Sequence, residues 1–366
     1  MIEVIEVRGA LNDFIKFPLS LYADDPLFVP QLTKEMHTHF SPENPFFAHA
    51  SAKFFIAVKE GRIAGRIISF VNRRHNEFHH DKTGFFGFFE SINDRTVSRA
   101  LFDKATAHLR EEGMEEVRGP MNFSTNEECG FLLEGFKEPP FIMMPYNPSY
   151  YNDLAEDWGF RKGKDLYAYL YTLRDRLPEK ILRVAAIVEK KGISVRPINM
   201  KNFKSDMMIF KEVYHSAWEK NWGFVPMTDE ELYYAAARLK QIVIPRMTLI
   251  AEEEGRPVGF MGLVPDFNFV LKHMGGKMNP LSIVRALYYS RKISDSRVML
   301  LGIKKEFRNK GVEALLFREG FGPLKEGNYK RVEFSWILED NIPIQRTIEM
   351  FGAELYKKYR VYEKRL

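Results

Sequence analysis

The chain of 366 residues has a single cysteine, Cys129. A disulfide within the chain is excluded, and a cysteine-based zinc site has no set of ligands. No apolar run approaches the roughly 18 residues needed to span a bilayer. The start, MIEVIEVRGALNDF, lacks the basic-then-apolar order of a signal peptide. The expectation is a cytoplasmic protein without stable membrane insertion. Nowhere is the chain dense in Lys and Arg, and the net charge is only +5, so no nucleic-acid partner is expected, although the mild excess suits an anionic ligand. There is no Gly-x-Ser-x-Gly, no nucleotide phosphate-binding loop and no dinucleotide fingerprint. Hydrolase, kinase and dehydrogenase readings therefore have no support. His75 and His79 stand four apart in RRHNEFHHDK, but they fall between two predicted strands, where a loop is expected, and no metal is expected there.

What the chain does contain is apolar material and a repeat. It is 45% hydrophobic and 28% charged, ordinary for a globular protein, and its length suggests two domains of roughly 150 residues or more. IAVKEGRIAGRIISF begins at Ile56, and IAEEEGRPVGFMGLV begins at Ile250, about half a chain later. Each reads as a hairpin, with Gly supplying the positive φ of a tight turn. An apolar strand follows each, TGFFGFFESI and RVMLLGIKKEF, and then a segment of helical period. In the first of these Ala100, Leu101, Ala105 and Leu109 share a face. Each half closes with a short helix ending at Gly (Gly159, Gly352) and a Tyr-rich strand. LPEKILRVAAIVEKKG reads as a helical connector with Leu182, Ala185, Ala186 and Val188 apolar, which places the boundary near residue 175, between halves 1–175 and 176–366.

The second half resembles the GNAT superfamily of acyl-CoA N-acyltransferases, on LLGIKKEFRNKGVEALLF and SWILEDNIPIQRTIEMFGAELYKKYRVYEK. The resemblance implies an α/β fold of two tandem GNAT-like domains, each a mixed, largely antiparallel sheet flanked by helices, the first a degenerate copy. It implies that acetyl-CoA or another acyl-CoA binds the second half, its pyrophosphate on backbone amides at a helix start. That places Arg308, Asn309, Lys310, Gly311 and Val312 at the pyrophosphate, and Leu300, Gly302 and Ile303 on the strand that meets the pantetheine and the oxyanion. Asn341 stands where the family's Asn precedes the last helix. Two departures are plain: Glu313 occupies a position that is usually small, and Ile348 stands where many members place an acidic Tyr. The nearby Tyr356, Tyr359 and Tyr362 read as packing. In the first half the matching loop, SINDRTVSRALF, has no Gly, and Asp94 adds negative charge.

Glu333 and Glu339, on or just after the strand next in order, are candidate general bases. Trp218, Trp222 and Phe224 line an acceptor groove or fill core. The long aromatic segment GPMNFSTNEECGFLLEGFKEPPFIMMPYNPSYY is a wall of the acceptor site or a packed loop. A segment from Pro265 to Ser296 has no counterpart in the first half. Its Leu281, Val284, Leu287 and Tyr288 share one helical face, which suits a lid over an acyl chain, an interfacial membrane helix or a core helix. The expected activity is transfer of an acyl group from a CoA thioester to the amine of a small-molecule or lipid-like acceptor. The alternatives are a non-catalytic GNAT-like binding protein and a lipid-directed acyltransferase using a long-chain donor.

Overall fold

The computed structural model describes residues 2–366. In chain order the first elements are β1 (Ile2–Glu6), α1 (Asn12–Leu21), α2 (Thr33–His39), β2 (Ala50–Lys59), β3 (Arg62–Asn72), α3 (Arg73–His79), β4 (Thr83–Ser91), α4 (Arg95–Glu111), β5 (Glu116–Gly119), β6 (Phe131–Glu134), α5 (Tyr150–Trp158) and β7 (Arg161–Thr172). There follow α6 (Glu179–Lys190), β8 (Ile193–Pro197), α7 (Phe203–Trp218), α8 (Asp229–Leu239), β9 (Thr248–Glu253), β10 (Arg256–Pro265), α9 (Asn268–Met274), α10 (Pro280–Ser290), β11 (Asp295–Ile303), α11 (Val312–Glu326), β12 (Arg331–Leu338), α12 (Ile342–Phe351) and β13 (Glu354–Arg365).

The chain divides into two compact units. Unit 1 comprises residues 1–166, 268–290 and 357–366; unit 2 comprises 167–267 and 291–356. Set beside the expected halves, 1–175 and 176–366, each unit takes residues from both. In unit 1, β1, β2, β3 and β4 are successive antiparallel neighbours. β4 runs parallel to β5, and β5 pairs antiparallel with β13. In unit 2, β8, β9, β10 and β11 repeat the antiparallel run, and β11 runs parallel to β12, which has β7 beside it. The topology is thus written twice. The closing strands have changed places, however: the last residues of β7 belong to unit 2 and most of β13 belongs to unit 1.

Both hairpins of the repeat are tight turns of the same kind. Lys59 pairs with Arg62 across Glu60 and Gly61, at φ +52° and +74°. Glu253 pairs with Arg256 across Glu254 and Gly255, at +50° and +77°. Positive φ at both central residues matches the right-handed strand twist. In unit 1, α4 buries Val97, Leu101, Phe102, Ala105 and Leu109 against Phe55, Ile67 and Phe86. In unit 2, α11 and α6 cover one face of the sheet, over Val298, Val332 and Phe334. α7 covers the other, with Phe210, Val213 and Tyr214 over Ile250 and Phe260. α6 is therefore more than a connector. Its core side is Ile181, Ala185 and Val188, whereas Leu182 is exposed.

Two expectations change. RRHNEFH is the helix α3, not a loop: the Asn72 side chain accepts from the His75 N–H, and His80, at φ +55°, ends the helix. His75 is buried there beside Asp81, and burial lowers its pKa. The aromatic segment after β5 is packed within unit 1. Phe123 is buried against Phe46, Phe70 and Phe88, and the Lys357 ammonium donates to the carbonyls of Glu138 (3.0 Å) and Pro139 (2.7 Å).

Candidate functional site

The repeat invites comparison of the same place in each copy, the start of the helix that follows the fourth strand. In unit 2 that helix is α11, and its N-cap is Gly311 at φ +86°. A Cβ there would lie 2.4 Å from Cγ1 of Val184 on α6. Only glycine meets both conditions, the left-handed backbone and the contact with α6. Asn309, at φ +61°, turns the preceding loop the same way. The cap has no side chain: the Ala314 N–H donates to the Gly311 carbonyl (3.0 Å) and the Glu313 N–H to its own carboxylate, so what this helix start offers an outside anion is above all the positive end of the dipole.

In unit 1 the corresponding helix is α4, and its N-cap is Asp94. The Asp94 carboxylate accepts from the Thr96 N–H (2.8 Å) and pairs with Lys59 (2.5 Å). These contacts, the Lys59 hydrogen bond foremost, hold its carboxyl well below the usual range. Unit 1 therefore caps this helix start with a carboxylate, which the N-cap glycine of unit 2 does not supply.

The second difference lies between the parallel strands. In unit 2, β11 pairs with β12 from Asp295↔Arg331 to Val298↔Phe334 and no further. Beyond that point β11 pairs only with β10, across an irregularity that leaves Met299 without a cross-strand partner. Leu300, Gly302 and Ile303 lie along this stretch, in register with Gly262, Phe260 and Gly259 of β10. In unit 1 the chain after β5 fills the equivalent opening. Met121 N–H donates to Phe86 O (2.8 Å), and the Asn122 side chain accepts from Phe88 N–H (2.9 Å). Phe88, at φ +48°, is the irregular residue of β4.

At the root of the unit 2 divergence sits a buried polar group. Glu333 is 0% exposed. It accepts hydrogen bonds from the Ser335 and Tyr356 hydroxyls and lies 3.8 Å from the Arg297 guanidinium. Arg297, also buried, donates to the Ser335 hydroxyl (2.8 Å) and carbonyl (3.1 Å). Arg297 and Glu333 are register partners on β11 and β12. Tyr356, read from sequence as packing, is half-buried and places its hydroxyl on the candidate base. Tyr359 and Tyr362 are fully buried.

The remaining candidates fall out as follows. Arg308 donates to Ala217 O (2.6 Å) and Ile303 O (3.4 Å), which ties the loop to the end of α7. The Lys310 ammonium lies 4.5 Å from the Phe307 ring centre. Glu313 is half-buried on the first turn of α11, and burial raises its pKa. Trp218 lies over Gly302: a Cβ on that glycine would be 2.3 Å from the indole. Phe224 is core, against Tyr214, and Trp222 is half-buried. Glu339 is half-buried, and its carbonyl accepts from the Gln345 side chain (3.0 Å). Asn341 begins α12 without a side-chain cap bond, and Ile348 is core. Among the described residues no group of three His, Cys, Asp or Glu side chains could hold a metal ion, and no helix is long and apolar enough to cross a membrane.

No family model matches the sequence. Whole-chain comparison is informative. Protein YghO of Escherichia coli (strain K12) is 35% identical over 365 residues, covering 98% of this chain and 94% of that protein. The bacterial ceramide synthase of Caulobacter vibrioides is 31% identical over 370 residues, covering 99% and 96%. The chain belongs to the family of these two proteins. Among solved structures, a tandem GNAT protein from the clavulanic acid biosynthesis pathway aligns at a TM-score of 0.60, with 13% identity over 100% of this chain and 98% of its own. A GCN5-related N-acetyltransferase from Sphaerobacter thermophilus aligns at 0.55, with 13% identity over 100% and 95%. The family therefore has the tandem GNAT fold that the two motif-bearing stretches implied.

Proposed function

We propose that this protein is a lipid-directed N-acyltransferase that moves a long acyl chain from an acyl-CoA thioester to the amine of a long-chain base. The observation that carries the reading is the contrast between the copies: an N-cap without a side chain and diverging strands in unit 2, against a filled N-cap and filled strands in unit 1. The lipid acceptor rests on the kinship with the ceramide synthase, since a ceramide is an N-acylated long-chain base. In this reading the CoA pyrophosphate rests on the amides at Arg308–Val312, within the half 176–366. The thioester carbonyl meets the side of β11 that no longer pairs with β12 beyond Val298. The amine nitrogen attacks that carbonyl, a C–N bond forms, the C–S bond breaks, and the electron pair leaves with CoA as its thiolate. The Glu333 carboxylate takes up the amine proton through Tyr356, whose hydroxyl passes its own hydrogen to Glu333 as it accepts one from the amine; Glu339 is the alternative base.

The test is direct. Purified protein is given palmitoyl-CoA or acetyl-CoA with sphinganine in detergent, and amide and free CoA are measured. A long-chain amide is expected with palmitoyl-CoA and little with acetyl-CoA. Tyr356→Phe should lower kcat by about a hundredfold or more, the usual scale for a lost proton-transfer group, with the protein still folded and its melting temperature lowered only by the one hydrogen bond lost to a buried carboxylate. A full set of contacts around Glu333 also suits a binding protein without catalysis. Acyl-CoA binding without turnover would select that reading, and no heat of binding with either thioester would sink both.

Glu313 supplies a pH test. Above its raised pKa the carboxylate is charged on the turn that faces the pyrophosphate and opposes it; as pH falls through that pKa the repulsion is lost. Acyl-CoA affinity should therefore rise on mild acidification, and Glu313→Gln should bind more tightly at neutral pH with a flatter profile. Identical profiles in the two proteins would show that Glu313 faces away.

A further inference from the structure

The segment without a counterpart in the first half is a helical hairpin, α9 and α10, and its two helices are treated very differently. α9 is anchored in unit 1. Val270 and Met274 are buried, the Asn268 side chain donates to Pro140 O (2.9 Å), and Thr33 N–H donates to Gly276 O (3.2 Å) in the turn that follows. α10 lies against α9 through a ring cluster in which Tyr289 stacks on His273 and meets Phe269. Most of the rest is exposed, and Ser282 is its one buried residue. Leu281, Val284 and Leu287 are 60%, 63% and 65% exposed, and Ile283, Tyr288 and the preceding Met278 are also exposed. A folding core does not explain such a face, and contiguous exposed apolar side chains mark an interaction surface. The helix is also set locally. Asn279 and Ser282 exchange backbone-to-side-chain hydrogen bonds of 2.8 Å across its start, and Pro280 opens it.

Charge says what the surface fits. From Phe267 to Ser294 there is no Asp or Glu, whereas Lys272, Lys277, Arg285, Arg291 and Lys292 are all present. Apolar side chains set among cations, with no carboxylate, match a bilayer surface carrying anionic headgroups: the former enter the acyl boundary and the latter meet phosphates. We propose that α10 is an interfacial membrane helix that docks the protein on an anionic bilayer through Leu281, Val284, Leu287 and Tyr288. This is peripheral attachment, and it stands independently of the transferase reading, although it would bring a lipid amine to the enzyme.

Flotation with vesicles tests it, without acyl donor or acceptor, so that failure of the enzymatic reading leaves the result intact. Wild-type protein should float with vesicles of equal parts phosphatidylglycerol and phosphatidylcholine, much less with phosphatidylcholine alone, and less as salt rises. The double variant Leu281→Ser/Leu287→Ser should lose binding by about tenfold or more with an unchanged melting curve, because both side chains are exposed. Arg285→Glu, on the surface of the same helix, should weaken binding to the anionic vesicles alone. The proposal is overturned if wild-type protein does not float above its vesicle-free level, or if the double variant floats equally well. It is also overturned if sedimentation equilibrium shows a dimer that the double variant dissolves, since a second copy would then be what covers the face.

Discussion

Gly311→Ala is expected to lower stability by about 2–5 kcal/mol, a large effect for one methyl group. Two costs add. An L-residue held at the φ of +86° found there is strained by about 1–2 kcal/mol. The new Cβ would stand 2.4 Å from Cγ1 of Val184, where α6 and α11 are already packed, and overpacking costs about 1–3 kcal/mol more. Adding Val184→Ala removes the second cost and leaves the first, so the double variant should recover part of the loss, a coupling of about 1–2 kcal/mol in a double-mutant cycle. Gly61→Ala makes the control: its φ is +74°, but nothing lies within 4 Å of the added atom, so only the strain is expected. Urea unfolding of five proteins, wild type, the two single variants, the double variant and Gly61→Ala, decides it. A loss at 311 no larger than that of Gly61→Ala would show that α6 yields freely, and a loss within about 0.5 kcal/mol would remove both costs. Gly311→Asp should in addition abolish acyl-CoA binding even where the protein folds, since its carboxylate would stand at the helix start as Asp94 does in unit 1.

The same residue shows what a sequence can and cannot reveal. A glycine before an amphipathic helix is a local signal, and so are the two Glu-Gly turns, because the turn chemistry sets the register of the strands on either side. The order of elements was legible for the same reason. Which strand closes which sheet was not. β7 and β13 are both Tyr-rich and follow the same helix-to-Gly ending, so exchanging them leaves every local pattern unchanged. The allegiance of α9 and α10 to unit 1 was equally hidden. It rests on Asn268 with Pro140 and Thr33 with Gly276, contacts between residues far apart in the chain. α3 was missed because seven residues between two strands look like a loop unless the Asn72 cap is seen.

At the site, the motif identified Gly311 but only half of its reason; the contact with Val184 requires α6 in place. Asp94 stood out in the sequence as a charge in a loop, and its role as the N-cap that fills unit 1's helix start appears only in three dimensions. Glu333 was nominated by its strand. Its partner Tyr356 was assigned to packing because it lies on a later strand, and no spacing rule connects positions brought together by β13. Ile348, where many GNAT members place a Tyr, is buried in the core, so the proposed reaction needs another proton-transfer group, and Tyr356 is the hydroxyl that the fold sets on a carboxylate.

In the proposed reaction Glu333 would carry two roles, structural and chemical, that mutation must separate. Arg297 and Glu333 are both buried, 3.8 Å apart, and Ser335 is bonded to each. Removing one member of such a pair leaves a charge without its partner in a dry interior, at about 3–5 kcal/mol. Glu333→Gln and Arg297→Met should each destabilise on that scale and lower activity through the fold as well as through chemistry. Replacing both charges, as Arg297→Met/Glu333→Leu, should recover much of the stability, because apolar side chains of similar volume substitute for buried ion pairs at little cost. It should recover no activity, since the Tyr356 hydroxyl then has no carboxylate to receive its hydrogen bond. Denaturant midpoints and single-turnover rates are read on the same four proteins. A double variant as stable as wild type and fully active would remove Glu333 from the chemistry and leave it a structural partner of Arg297. A stable but inactive double variant, beside a stable and inactive Tyr356→Phe, would assign the proton transfer to the Tyr356–Glu333 pair.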